Sequence, residues 1–384
     1  MVSKKIALIL AIIFFIVALA GSYYYFSNLI NKVNTSQYKV PATALDTQQL
    51  ANSGPKTEPC PINGALYSVP QKKVWEQRRP LGVMIENHTA ARPQSGLSSA
   101  DVVYEAVAEG GITRFLPIFY CQDQAPIGPV RSARIYFLRL LEGYGDHPLY
   151  AHVGGANTDG PADALGQISS LGWDHYNDLS EFGVPFPNYY RDYERLPNVA
   201  TEHTMYSLTS KLWQYARDNR KLSNVDGKGK AWNANWTPWK FKDDAPAANR
   251  GKVSKISYDF WPNFKDYSIT WNYDNISNTY KRVNGTAAQI DKDTSKQLAP
   301  KDVVVVFAEE SPANDGYSGG HILYNIIGTG NGLLFQDGQA TKITWNKKSE
   351  TSMIRFYDQS GKEISFSRGQ IWVSIVPTGN TVSY

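Results

Sequence analysis

Ala100-Asp-Val-Val-Tyr-Glu-Ala-Val-Ala-Glu-Gly-Gly-Ile-Thr-Arg-Phe-Leu-Pro-Ile-Phe119 holds two β-rich runs on either side of Gly110-Gly111. A two-glycine loop between such runs is a strong hairpin signal, because primed turns need positive φ at their central residues. An uninterrupted ladder through that turn pairs residues whose numbers sum to 221, so Glu109 faces Ile112 and Val107 faces Arg114. Strand alternation then puts Glu105, Val107, Glu109, Ile112, Arg114 and Leu116 on one face. The other face carries Tyr104, Ala106, Ala108, Thr113 and Phe115, a core side. Arg114 is diagonal to both Glu105 and Glu109, within reach of long side chains. Pro117 has no N–H for a ladder, so it makes its strand an edge or ends it.

Working outward, Leu81-Gly-Val-Met-Ile85 reads as a short strand. The stretch 131–141 reads as a helix with Ile135, Leu138 and Leu141 along one side. The stretch 203–220 does so more clearly, with Met205, Leu208, Leu212 and Tyr215 as its stripe. Residues 221–252 break the pattern and connect to a β-rich remainder. There 267–273 alternates, 303–307 is a fully buried strand, and Asp337-Gly338 and Ser360-Gly361 mark turns before a last strand at 371–376. No internal repeat is present. The fold class is α+β, a mixed N-terminal domain at 62–220 followed by a mostly β domain at 253–384.

The amino terminus reads differently. Lys4 and Lys5 precede an apolar run that, counted over 6–26, matches the ~20 residues a helix needs to cross a bilayer. Basic residues before it and none close behind place 1–5 in the cytoplasm and the bulk of the chain outside. Ala18-Leu19-Ala20 also has the form of a signal-peptidase site, so the segment is either a retained anchor or a cleaved leader. Leu19-Ala20-Gly21-Ser22 has the form of a lipobox, but thioether acylation needs a thiol and Ser22 has none. Every reading exports the folded part. Residues 27–61, rich in Asn, Thr, Gln, Pro and Ser, read as an extracytoplasmic tether.

Composition narrows the class. In 384 residues, 39 Lys+Arg against 35 Asp+Glu give a charge of +4. That is too small and too spread for a nucleic-acid footprint. Two cysteines exclude a disulfide-dense scaffold and a multi-cysteine zinc module. In an oxidising space Cys60 and Cys121 would survive as a disulfide, contributing about 3–4 kcal/mol on the chain-entropy model. Two separate buried thiols are the alternative.

Five motifs in the first half, Gly82-Val-Met-Ile-Glu-Asn87, Ala91-Arg-Pro-Gln-Ser-Gly-Leu97, Ala100-Asp-Val-Val-Tyr-Glu105, Glu109-Gly-Gly-Ile-Thr-Arg-Phe115 and Ile127-Gly-Pro-Val-Arg-Ser-Ala-Arg134, resemble the YerB-like family of bacterial envelope lipoproteins. In the second half 330–338, Ile343-Thr-Trp-Asn-Lys347 and 369–377 resemble its companion domain. The resemblance spans about 75 to 378. It implies a layered ββα sandwich with two sheets, and it implies no biochemical activity. The chain departs from the family at Ser22, and at Glu202-His203-Thr204 where Pro-His-Asn is usual.

The chemistry-bearing residues gather at the hairpin and after it. Arg131 and Arg134, three apart in the first turn of a helix, would share a face with free backbone N–H groups, a ready site for carboxylate or phosphate. Glu105, Glu109 and Arg114 would sit against it. Arg92, in the polar Asn87–His88–Arg92 loop, and the imidazoles His152 and His203 complete the candidate binding set. The same arginines and glutamates pairing only among themselves is the structural alternative. A wall-acting hydrolase using Glu105 or Glu109 with His152 or His203 is the catalytic alternative. Two glutamates four apart on a strand stand about 13 Å apart at Cα, beyond the ~5–9.5 Å of glycosidase carboxylates. No G-x-S-x-G elbow surrounds Ser132, no H-E-x-x-H contains a histidine, and Gly154-Gly155 lacks a phosphate-loop lysine, so neither metal nor cofactor is expected. Trp232, Trp236 and Trp239 either pack the junction or stack on sugars or on a partner's surface. The expected partners are the cytoplasmic membrane and a cell-wall polymer or wall-synthesis protein, with no nucleic acid.

Overall fold

The computed structural model describes residues 4–32 and 46–384. Residues 4–32 and 46–384 fall in separate units of the chain, and each is described by itself. In the first, Lys4–Lys32 is one α-helix, a largely apolar run with no internal proline to break it. Among the described residues no helix is long and apolar enough to cross a membrane. Of the expected cytoplasmic tip and tether, 1–3 and 33–45 lie outside the described residues.

The second unit is built on a 12-stranded mixed sheet. Along its main path the strands run Arg355–Tyr357, Gln339–Lys347, Gly328–Gln336, Asp302–Pro312, Ile371–Pro377, Val102–Glu109, Ile112–Phe119, Leu81–Val83, Leu149–His152 and Asp178–Ser180. Ile371–Pro377 lies parallel to Asp302–Pro312 on one side and to Val102–Glu109 on the other. Strands from both expected domains thus share one continuous sheet, and 46–384 belongs to a single compact unit. The run Val303, Val304, Val305 and Val306 is buried on both faces, the pattern of a central strand.

A five-stranded antiparallel sheet, with Ile269–Asp274 and Thr279–Asn284 at its centre, covers one face of the large sheet. Trp271 meets Trp372 at a ring distance of 5.4 Å, and Phe115 meets the same indole at 5.4 Å. Helix Ile135–Leu141 covers the opposite face, where the Tyr136 hydroxyl donates to the Val107 carbonyl and the Tyr104 and Tyr144 hydroxyls bond at 2.9 Å. Gly82 admits that helix: a Cβ there would stand 2.8 Å from Leu141 Cδ1. The layers are sheet, sheet and helix, an α+β fold.

Five local expectations change. Glu109 does face Ile112, but a bulge at Ala108 shifts the ladder, so Val107 faces Thr113, Ala106 faces Arg114 and Glu105 faces Phe115. One extra residue reverses every face beyond it. Pro117 neither ends its strand nor leaves it at an edge. It lies opposite the interruption between Leu81–Val83 and Ile85–Glu86, where the neighbouring ladder is already broken.

The helix expected from 131 begins only at Ile135, because 127–133 is drawn into bridges with Ser207, Ser95, Ile85 and Gly155. Likewise the helix expected from 203 begins at Thr209, since Met205–Ser207 pairs with Tyr189–Arg191. The tether is shorter than expected too. Thr47 donates to the Asp123 carboxylate, Gln71 donates to the Thr47 carbonyl, and Lys56–Pro59 pairs with Leu66–Ser68. Short polar side chains there satisfy buried backbone instead of solvating a linker.

Candidate functional site

The site grows from the strand pair Ile85–Glu86 and Ile112–Phe119, which sets Glu86 opposite Arg114. The extended segment after Gly128 runs alongside. Glu86 N–H donates to the Pro129 carbonyl, Arg131 N–H to that of Met84, and Val130 N–H to that of Met205. Gly128, at φ +146°, makes this possible, since a Cβ would lie 2.7 Å from the Tyr206 ring and 2.8 Å from the Met205 carbonyl. The backbone thereby carries Arg131 to Glu86 and Arg134 to the end of the hairpin.

Two linked ion clusters result. Glu109 accepts from Arg114 Nη2 at 2.7 Å and from Arg134 Nη2 at 2.6 Å. Glu86 accepts from or shares a proton with His203 Nδ1 at 2.8 Å, and Arg131 Nε stands 3.4 Å from its other oxygen. The His88 ring lies on that of His203, centroids 4.8 Å apart and planes 11° apart. His88 Nδ1 accepts from the Ala90 N–H. In its neutral form, therefore, that ring carries its proton on Nε2.

Three guanidinium groups, those of Arg114, Arg131 and Arg134, face the two carboxylates of Glu86 and Glu109. The exposed Glu202 carboxylate lies in the field of His203, Arg131 and His88. Burial alone pushes the Glu109 carboxyl up, but Arg114 and Arg134 outweigh it and hold the group below its ordinary range. Burial, with the repulsion of Arg134, pushes Arg114 down to about 10 against the pull of Glu109, which leaves it charged at neutral pH. Arg131 Nε and Arg134 Nε are buried donors without a hydrogen-bond partner among the described residues. The Arg131 side chain keeps 26% of its surface open.

The other expected site residues are elsewhere. Glu105 points into the opposite layer, where Arg282 Nη2, Thr113 Oγ1 and Trp372 Nε1 all donate to it. The bulge separates it from Glu109, so the two glutamates do not line one cleft. Arg131 and Arg134 do not share a helical first turn either, because Arg134 is the extended residue before Ile135. His152 is wholly buried, with Nε2 on Asp178 and Nδ1 on the Gly154 carbonyl, a strand-to-strand tie. Arg92 binds the Asn87 and Asp266 carbonyls and lies 5.0 Å over the Tyr267 ring, joining a loop to the second half of the unit.

Cys60 and Cys121 are bonded to each other. They and Asp101 are the potential metal-ligand trio among the described residues, and both sulfurs are spent. Sequence reasoning missed Glu86, although it belongs to the 82–87 motif, and named His88 only as part of a polar loop. An acidic residue ending a buried short strand was the available signal for Glu86. Arg282 and Trp372 carried no local signal.

Comparison with known families finds two matches. Residues 68–223 match the N-terminal domain of a protein of unknown function, DUF3048, and 258–373 match the DUF3048 C-terminal domain. A Bacillus subtilis (strain 168) protein, YerB, whose name carries a provisional lipoprotein assignment, is 32% identical over 308 residues, 80% of this chain and 83% of YerB. The crystal structure of YerB from Bacillus subtilis superposes with a TM-score of 0.68 at 27% identity, covering 85% of this chain and all of that one.

Proposed function

This chain belongs to the DUF3048 family through both of its halves, and from that premise we propose a non-catalytic envelope protein that binds an anionic wall component. The protein is held at the outer face of the cytoplasmic membrane by its single segment 6–26, with the amino terminus inside. The lipoprotein name of its relative supports the same location. In this chain the apolar run takes the place of the lipid that Ser22 cannot carry.

The observation that carries the binding reading is the surplus of guanidinium over carboxylate at Arg131, Arg134, Arg114, Glu86 and Glu109, with Arg131 open to solvent. A carboxylate or phosphate of a wall polymer, or of a wall-synthesis protein, is the ligand that such a surplus attracts. Hydrolysis is not favoured. Glu105 is spent in the core and Glu109 is held ionised by two guanidinium groups, so neither is placed to act as the acid.

The test is cosedimentation of the full chain, in lipid nanodiscs, with purified cell wall that keeps its anionic polymers. Binding that falls about tenfold in Arg131→Ala, equivalent to ~1.4 kcal/mol, is the expected result. Equal binding by a folded Arg131→Ala variant would sink the proposal. Crosslinking in intact cells then separates a polymer ligand from a protein one.

A further inference from the structure

A cleft of about 560 Å³ in the folded unit lies away from the arginine cluster, among Trp232, Trp236, Asn235 and Asn346. That size is within the ~300–1,000 Å³ of small-ligand sites. Trp236 is fixed on its hidden side. Its indole Nε1 donates to the Gly143 carbonyl at 3.0 Å, and its ring lies 5.2 Å from that of buried Trp232. The rest of the half-buried indole forms cleft wall.

The charges around it are mostly internally paired. Asp146 bonds Lys230 at 2.6 Å, and Arg355 is taken up by Glu363 and by the Pro238 and Thr237 carbonyls. The amides of Asn235 and Asn346 have no hydrogen-bond partner among the described residues, and each offers donors and acceptors. An oriented indole beside neutral donor–acceptor groups is chemistry suited to a ligand with an apolar C–H face and a rim of hydroxyls.

We propose that this cleft is a binding site for an uncharged oligosaccharide, stacked on Trp236 and hydrogen-bonded by Asn235 and Asn346. It is a second site, independent of the arginine cluster. A glycan chain and an anionic group are thus bound at separate places on one surface-anchored protein.

The probes are two neutral tetramers, of N-acetylglucosamine and of glucose, added to the full chain in a detergent without a sugar headgroup. Calorimetry and saturation-transfer NMR read the binding. At least one tetramer binds saturably. Affinity drops about tenfold in Trp236→Ala, the equivalent of losing one aromatic stacking contact, and it also weakens in Asn235→Ala. Trp236→Phe, which keeps a ring face, retains affinity within about threefold, and Arg131→Ala leaves it unchanged. Absence of saturable binding by either tetramer overturns the proposal. So does unchanged affinity in Asn235→Ala, which remains decisive where Trp236→Ala fails to fold. Loss of sugar binding in Arg131→Ala would move the ligand to the arginine cluster and overturn this site while sparing the other.

Discussion

Glu105 and Arg282, 177 residues apart, form an ion pair of 2.7 Å in which neither side chain is exposed. The arginine lies 4.4 Å over Trp372 and 4.8 Å over Trp271, between the two sheets. Such a pair is costly to break from one side, because the remaining charge stays buried without compensation. Glu105→Gln is therefore expected to lower stability by about 3–5 kcal/mol. Chemical denaturation of Glu105→Gln, Arg282→Met and the double variant checks this. The double variant should lose less than the sum of the singles, and strict additivity would refute the coupling.

Glu109 has the opposite environment, between two guanidinium groups at the open end of the hairpin. Its lowered pKa means the folded form favours the carboxylate. That stabilisation is full above the ordinary carboxyl range and is lost as pH falls through the folded value. Glu109→Gln should cost about 2–3 kcal/mol at pH 7, less than for a sealed pair because 26% of the side chain is open. It should also tighten anion binding, because it enlarges the cationic surplus. Parallel denaturation and cell-wall cosedimentation read the two effects, and weaker binding in a folded variant would count against an anionic ligand.

Glu142 titrates in the other direction. Burial, helped by Glu350 and opposed by Lys347 and Arg139, pushes its carboxyl up to about 7, and neither oxygen has a hydrogen-bond partner among the described residues. A raised carboxyl contributes stability that is full below its unfolded value of 4.5 and is lost as pH climbs through 7. The wild-type chain should therefore lose stability between pH 5 and 8 by on the order of 1–3 kcal/mol from this group. Glu142→Gln should flatten that slope and be the more stable form at pH 8. Unfolding at the two pH values decides it.

The disulfide between Cys60 and Cys121 joins the segment before the first domain to the end of the hairpin, across a separation of 61 residues. Replacing both by serine should cost about 2–4 kcal/mol without changing the fold. Thermal unfolding with and without reductant should reproduce the difference, and a reductant-insensitive wild type would contradict it.

Much of this architecture is legible locally. Gly110-Gly111 specifies its hairpin, Asp337-Gly338 its turn, the four valines at 303–306 a buried strand, and the apolar run at 6–26 a helix. Each depends on turn chemistry or side-chain periodicity within a few residues. What the chain does with its charges is not local. A bulge at Ala108 sends Glu105 to the sheet interface and Glu109 to the helix side.

Strand alternation reads correctly only if the register is known, and one inserted residue reverses it. Which register wins depends on both packed layers, including Arg282 and Trp372 far along the chain. Arg131 likewise reaches Glu86 because distant strands hold 127–133 extended, overriding its helical neighbours. Sequence by itself determined the elements, the cationic character of the hairpin region and the apolar amino terminus. Tertiary structure alone decided which glutamate became core and which remained with the arginines, because long-range packing sets the face each strand presents.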